Sequence, residues 1–107
     1  MGDEVIHKLY WGRDMPETIE MSSEALEQFS GNYYTNLNRQ LKFINTGNSL
    51  KIEGEGLPQL NLFPENDTTF FPLDFEIQFM FRRDKSGRVE KFELRQRGEV
   101  TLEGEKF

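Results

Sequence analysis

The amino-acid sequence predicts an all-β, mainly antiparallel domain. About eight short strands would form a meander that closes into a small lipocalin-like barrel, with a short helix in front of it. Apolar residues occupy every second position from 75 to 81, as in a strand that buries one face. Turn-forming residues recur between the other apolar runs at hairpin spacing, and no connection is long enough for a crossover helix. A meander closes most simply on itself, which favours a barrel over a sandwich.

The first 21 residues differ from the rest and are predicted to form a helical stub and a linker. Four apolar residues of the stub are spaced i, i+1, i+4 and i+5, which places them on one face of a short helix. They are Val5, Ile6, Leu9 and Tyr10. Because this face is apolar, the four residues are candidates for docking to a partner.

The barrel domain itself is predicted to span residues 22–107. It would begin with a short helix over residues 23–30, capped by Ser22 or Ser23. This helix carries Leu26 and Phe29, so it would plug or flank one mouth of the barrel.

The strands follow from residue 33 onward, each as an apolar or β-branched run between turn residues. The predicted strands are residues 33–34, 41–45, 50–53, 60–63, 68–71, 75–83, 89–97 and 100–107. Asp84 and Gly87 form the turn between the sixth and seventh strands, since aspartate supplies local hydrogen bonds and glycine tolerates positive φ.

The amino-acid composition limits the kinds of partner and cofactor that the chain is expected to bind. A net charge of −6 works against binding to nucleic acid. No apolar run approaches the about 20 residues that span a bilayer, so no membrane span is predicted. With no cysteine and one histidine, the chain is not expected to bind a metal or another cofactor, although lack of cysteine assigns no compartment.

The residues needed for known hydrolytic mechanisms are missing or isolated. No serine is followed three residues later by a lysine, as the Ser-x-x-Lys motif requires. His7 is interpreted as a solvent-facing residue of the stub, because a triad is recognised by its partners. The carboxylates fall mostly in turns or on polar strand positions, which indicates a solvated surface rather than an acid and base pair. We therefore expect no catalytic activity from this chain.

The ten phenylalanines leave two possibilities for the barrel interior. A small barrel can be filled by side chains or can hold one ligand. A domain of this size needs most of its phenylalanines in the core, which favours a packed interior. The alternative is a partial cavity for a small apolar ligand near Phe63, Phe70 and Phe71, where the alternation is least regular.

A basic stretch stands out on this acidic chain. From residue 82 to residue 97 there are seven positive and three negative side chains, an excess of four. One interpretation is cross-strand ion pairing with acidic strands such as residues 99–105. The alternative is docking to an acidic partner or a neighbouring domain, with Arg82, Arg83 and Arg95 as candidates.

Several motifs occur in an order that is found in a known domain. They are Leu26-x-x-Phe29-x-Gly31-x-Tyr33, Leu50-x-Ile52, Leu57-Pro58 before Leu60-x-Leu62, Phe70-Phe71, and Phe79-x-Phe81-x-x-Asp84-x-x-Gly87-x-Val89. Across residues 22–107 the chain resembles the lipocalin-like C-terminal domain of β-lactamase-related, penicillin-binding-protein-like serine hydrolases, a domain of unknown function.

The resemblance implies a non-catalytic accessory domain that orients or shields an upstream catalytic domain of the same polypeptide, or contacts its substrate. Residues 1–21 would then be the end of that domain's last helix and its linker. The resemblance also implies a bacterial protein of the periplasm or cell envelope. A free-standing lipocalin-like binder of a small apolar ligand is the alternative, and an independent hydrolase is the third possibility.

Overall fold

The computed structural model describes residues 16–54 and 59–107. Within these ranges it contains one short helix and a closed antiparallel barrel of eight strands, which confirms the predicted all-β fold. The elements are α1 (Ser23–Glu27), β1 (Gly31–Thr35), β2 (Gln40–Asn45), β3 (Leu50–Gly54), β4 (Leu60–Pro64), β5 (Thr69–Phe71), β6 (Gln78–Arg83), β7 (Val89–Gln96) and β8 (Glu99–Lys106).

Each strand pairs with the next one along the chain, and the barrel closes where β8 returns to β1. At this closure Tyr33 lies opposite Lys106, and Thr35 lies opposite Gly104. Closure leaves the sheet without the unpaired edges that promote aggregation.

The register between β6 and β7 shifts at Arg82 and Arg83. Val89 and Phe92 are three positions apart, so regular alternation would send their side chains to opposite faces. Both are nevertheless buried in the interior, because the irregularity adds one residue between them.

The sixth strand begins later than the sequence predicted. Residues 75–77 were expected to be part of it, but β6 starts at Gln78. The Ile77 amide instead donates to the Phe75 carbonyl at 3.0 Å in a tight turn. The preceding strand β5 has only three residues and pairs with Phe79 and Met80, so it does not extend beside residues 75–77. Phe75 is 47% exposed as a result.

Aromatic rings fill the centre of the barrel. The seven rings that contact one another there are those of Phe29, Tyr33, Phe43, Phe70, Phe79, Phe81 and Phe92. Their centroids lie 5.0–6.2 Å apart, mostly in edge-to-face arrangements. This distance and geometry are those that aromatic quadrupoles favour. Of the two predicted possibilities for the interior, the arrangement is that of a packed core.

Helix α1 plugs one mouth of the barrel, and its start confirms the predicted cap. The Ser22 Oγ accepts a hydrogen bond from the Ala25 amide at 3.1 Å. The helix ends at Glu27, earlier than the predicted residue 30, but Leu26 and Phe29 are both fully buried. Helix α1 and the two residues after it, Gln28 and Phe29, are called the plug below, and the plug is therefore part of the core.

Polar side chains on the rim hold this plug in place. The Asn45 Nδ2 donates to the Ser23 carbonyl at 2.9 Å and to a Glu27 carboxylate oxygen at 3.0 Å. The Lys106 Nζ donates to the Gln28 carbonyl at 3.2 Å, where a cation is favoured at the helix C-terminus. The plug is thus fastened by two strands that lie far apart in sequence.

Tyr33→Phe is expected to lower the free energy of unfolding by about 1–3 kcal/mol, because it leaves a buried acceptor without its donor. The Tyr33 hydroxyl donates to the Phe29 carbonyl at 2.9 Å, and burial raises the pKa of Tyr33. Urea unfolding at pH 7 measures the loss. The control is Tyr34→Phe, at a residue that is 51% exposed and should change stability by less than about 0.5 kcal/mol. Equal losses in the two variants would show that the buried bond contributes nothing.

Candidate docking site on the barrel wall

A group of charged side chains projects from the outer wall of β6 and β7. Phe81 and Phe92 lie opposite each other in the register and face inward. Alternation therefore turns Arg82 and Glu93 outward. Arg95 lies two residues beyond Glu93 on the same face. We call Arg82, Glu93 and Arg95 the arginine cluster.

Both arginines bind the same oxygen of Glu93. Arg82 donates through Nε at 3.1 Å and through Nη2 at 2.9 Å, and Arg95 donates through Nη2 at 3.1 Å. Burial by itself would raise the pKa of Glu93, but the hydrogen bonds from Arg95 and Arg82 outweigh it and hold the pKa below its usual value. The carboxylate is therefore ionised at neutral pH.

The arginine cluster carries one more positive charge than negative charge. Its Glu93 side chain is only 12% exposed, whereas the two arginine side chains are 46% and 29% exposed. The Nε atom of Arg95 is buried and has no hydrogen-bond partner. Guanidinium donors held in fixed positions are suited to a carboxylate or another anion. The arrangement can thus bind an acidic group of a partner.

Arg83 has a different role from the other two predicted docking arginines. Its guanidinium carbon lies 5.5 Å from the centroid of the Phe29 ring, within the range of a cation–π contact. Its Nη1 also donates to the Gly87 carbonyl at 3.0 Å and to the Gln28 side-chain oxygen. The structure therefore brings Arg82 and Arg95 together and places Arg83 on the plug.

The partners of the basic stretch are not those that the sequence suggested. Within the described ranges, its ion pairs join Arg82 and Arg95 to Glu93, and Arg97 to Glu76 at 3.3 Å. The sequence suggests acidic neighbouring strands such as residues 99–105, and none of these ion pairs uses a carboxylate from that range. Sequence reasoning missed Glu93 as the common partner, although its spacing from Arg95 signalled a shared face.

The three phenylalanines proposed to line a ligand cavity do not share one surface. Phe70 belongs to the interior cluster. Phe71, the next residue, faces the outside of the barrel, where it lies opposite Phe63 on β4. Phe63 is half-buried and borders a surface depression of about 220 Å³. Phe70 therefore lies on the opposite face of β5 from Phe63 and Phe71.

The remaining predictions concern residues outside the described ranges, metal binding and membrane spans. The docking candidates Val5, Ile6, Leu9 and Tyr10, and also His7, belong to the part of the chain that is not described. Residues 16–54 and 59–107 contain no cluster of three acidic, histidine or cysteine ligands for a metal ion. No helix in the same ranges has the length and apolar character needed to cross a membrane.

Comparisons with known proteins add nothing to this site. No protein-family model, curated protein or solved structure matches the chain. The family resemblance thus stays an expectation from the motifs.

Glu93→Gln is expected to flatten the loss of stability on acidification. Because the pKa of Glu93 is lowered in the folded state, its carboxylate stabilises the fold above the unfolded value of about 4.3. This contribution disappears as the pH falls through the folded pKa. Urea midpoints between pH 7 and pH 3 should fall less steeply in the variant.

At pH 7 the same variant should be less stable by about 0.5–1 kcal/mol, as for a partly exposed ion pair. Glu99→Gln, at an exposed position at the start of β8, is the control and should keep the parent's acid dependence. If Glu93→Gln and the parent lose stability in parallel on acidification, the interpretation of the arginine cluster is wrong.

Proposed function

We propose that this chain is a non-catalytic accessory domain of a larger, β-lactamase-related serine hydrolase. The barrel would orient or shield the upstream catalytic domain, or contact its substrate. The order of motifs across residues 22–107 supports the family assignment. The lack of Ser-x-x-Lys supports a role without chemistry of its own.

The arginine cluster is the observation that carries this proposal. Two neighbouring strands of a closed barrel hold its donors, so they are positioned before a partner arrives. The surplus positive charge and the exposed parts of the Arg82 and Arg95 side chains favour an acidic group on the partner. This concentration of positive charge on a chain of net charge −6 would set the orientation of docking.

The packed interior supports docking through the surface over binding inside the barrel. An apolar ligand needs a cavity, but the Phe81 ring already lies within 5.0–6.2 Å of the rings around it. Binding in the interior would require a core side chain to leave. The alternative function as a binder of small apolar ligands is therefore less well supported.

The proposal is tested first on the coding sequence around this chain. We expect the reading frame to continue upstream into a domain that contains Ser-x-x-Lys. The longer polypeptide is then expressed with Arg82→Gln and Arg95→Gln together, and kcat/KM is measured with a chromogenic ester and a chromogenic β-lactam. We expect a decrease of about tenfold, which corresponds to 1.4 kcal/mol of lost interaction.

Arg88→Gln provides the matched control, since Arg88 is an exposed arginine in the neighbouring turn and lies outside the arginine cluster. This variant should keep the parent's kcat/KM. An upstream region without Ser-x-x-Lys would overturn the assignment to a serine hydrolase. Unchanged kinetics in the double variant would overturn docking through the arginine cluster.

A further inference from the structure

Strand β5 is unusual because side chains on both of its faces are buried. Phe70 points into the barrel and belongs to the interior cluster, whereas its neighbours Thr69 and Phe71 point outward. Thr69 is nevertheless only 3% exposed, and Phe71 is only 1% exposed. We call these two residues, with the half-buried Phe63 beside them, the outer β5 face.

Several outward positions elsewhere on the barrel are open to solvent. Lys42 on β2, Arg82 on β6 and Glu103 on β8 all point outward and are exposed. The residues at these positions are charged, whereas the outer β5 face carries two phenylalanines. Apolar side chains that point outward and are nevertheless covered indicate that another segment lies over them.

The described part of the linker shows which segment reaches this place. The Ile19 amide donates to the Pro64 carbonyl at 2.9 Å, and the Thr18 hydroxyl donates to the same carbonyl at 3.0 Å. Pro64 lies opposite Phe70 in the register, next to the Phe63 and Phe71 pair. The described linker residues Thr18 and Ile19 are therefore anchored beside the outer β5 face.

The preceding residues have the complementary character. We propose that the outer β5 face is the docking surface for Val5, Ile6, Leu9 and Tyr10 of the same chain. Tyr10 is eight residues before Thr18, and eight extended residues reach up to about 26 Å. The anchor at Pro64 raises the effective concentration of these residues at the surface, as in any tethered binding event.

This inference deepens the proposed function and rests on it in only one respect. If a catalytic domain precedes the chain, a leader seated on β5 would fix the orientation of the barrel relative to that domain. The seating itself belongs to the 107-residue chain and can be tested on that chain alone. An upstream region without a hydrolase would leave it intact.

Cysteine labelling of the full chain tests the docking directly, because the chain has no cysteine of its own. Thr69→Cys places a single thiol on the outer β5 face. We expect it to react slowly with a thiol reagent. Replacing Leu9 and Tyr10 with aspartate should accelerate its labelling by more than about tenfold, because the apolar cover would be lost.

Two further single-cysteine variants serve as matched controls. Thr101→Cys lies at an exposed position of β8 and should react rapidly with and without the leader substitutions. Val89→Cys lies in the interior and should remain protected in both, which shows that the barrel stays folded. Protection of Thr69→Cys that survives the leader substitutions would overturn the proposal. Protection that disappears on dilution of the chain would assign the cover to a second copy and would also overturn it.

A second measurement decides the question if the leader substitutions also expose Val89→Cys. Nuclear Overhauser contacts are measured in the unmodified chain between the methyl groups of Val5, Ile6 and Leu9 and the ring of Phe71. Such contacts are the expected result. If the Phe71 ring shows no contact with any of these methyl groups, the docking proposal is overturned.

Discussion

Phe81→Ala is expected to lower the free energy of unfolding by about 3–5 kcal/mol, which is the usual cost of deleting a fully enclosed phenyl ring. The Phe81 ring joins the plug to four strands of the barrel. Its ring contacts are with Phe29, Tyr33, Phe43, Phe70 and Phe92. Four of these neighbours come from separate strands of a closed sheet, so they cannot all move inward to fill the cavity.

Urea unfolding monitored by near-ultraviolet circular dichroism measures this loss, since the signal reports the packing of the aromatic rings. Phe81→Leu keeps much of the volume and should cost less than the alanine variant. Phe75→Ala removes a ring that is 47% exposed and should change stability by less than about 0.5 kcal/mol. A Phe81→Ala chain as stable as the Phe75→Ala chain would contradict the packed-core description.

Gly104→Ala should destabilise the barrel by about 1–3 kcal/mol through overpacking. A Cβ atom at Gly104 would lie 2.4 Å from Cε1 and 2.9 Å from Cζ of Phe92, which is opposite it on β7. The Phe92 ring is itself enclosed, with the centroids of Tyr33 and Phe43 at 5.5 Å and 5.3 Å. The added methyl group would therefore have to displace the core or the strand.

A double-mutant cycle isolates this clash from any general effect on β8. In a Phe92→Leu background, Gly104→Ala should cost less, because the side chain that it meets is smaller. Glu103→Ala, at the exposed neighbouring position, is the control and should be close to neutral. Strictly additive losses in the cycle would show that contact with Phe92 is not the cause.

The sequence predictions that agree with the structure concern features formed by residues that are close together in the chain. The Asp84 turn is an example. The Asp84 Oδ1 accepts from the Ser86 amide at 2.8 Å, and Gly87 has a φ of 88°. The Ser86 hydroxyl and the other hydrogen bonds in the turn lower the pKa of Asp84. The Ser22 cap was equally readable, because its acceptor and donor are three residues apart.

Predictions failed where a distant strand decides the outcome. The alternation from residue 75 to residue 81 predicts one continuous strand, but β6 begins at Gln78 and the short β5 does not extend beside residues 75–77. The sequence predicts Phe70 and Phe71 beside the same partial cavity, yet the pleat of β5 sends them to opposite faces. A local pattern contains no information about the length of the neighbouring strand.

For the docking site, too, the sequence predicted a local feature and the tertiary structure decided its contacts. Sequence composition located the excess of positive charge between residues 82 and 97. It could not show that Arg82 and Arg95 would share Glu93 or that Arg83 would hold the plug, because those contacts require the pairing of β6 with β7 and the position of Phe29. Ion-pair partners are chosen among several nearby carboxylates by register and burial.

By itself the sequence determined the all-β class, the turns, the helix cap and the apolar residues available for a core. These features follow from backbone preferences and side-chain alternation within a few residues. Only the tertiary structure decided the closure of β8 on β1, the insertion of Phe29, the need for glycine at position 104 and the covered face of β5. Those features depend on contacts between distant residues, and such contacts are set when the whole chain minimises its exposed apolar surface.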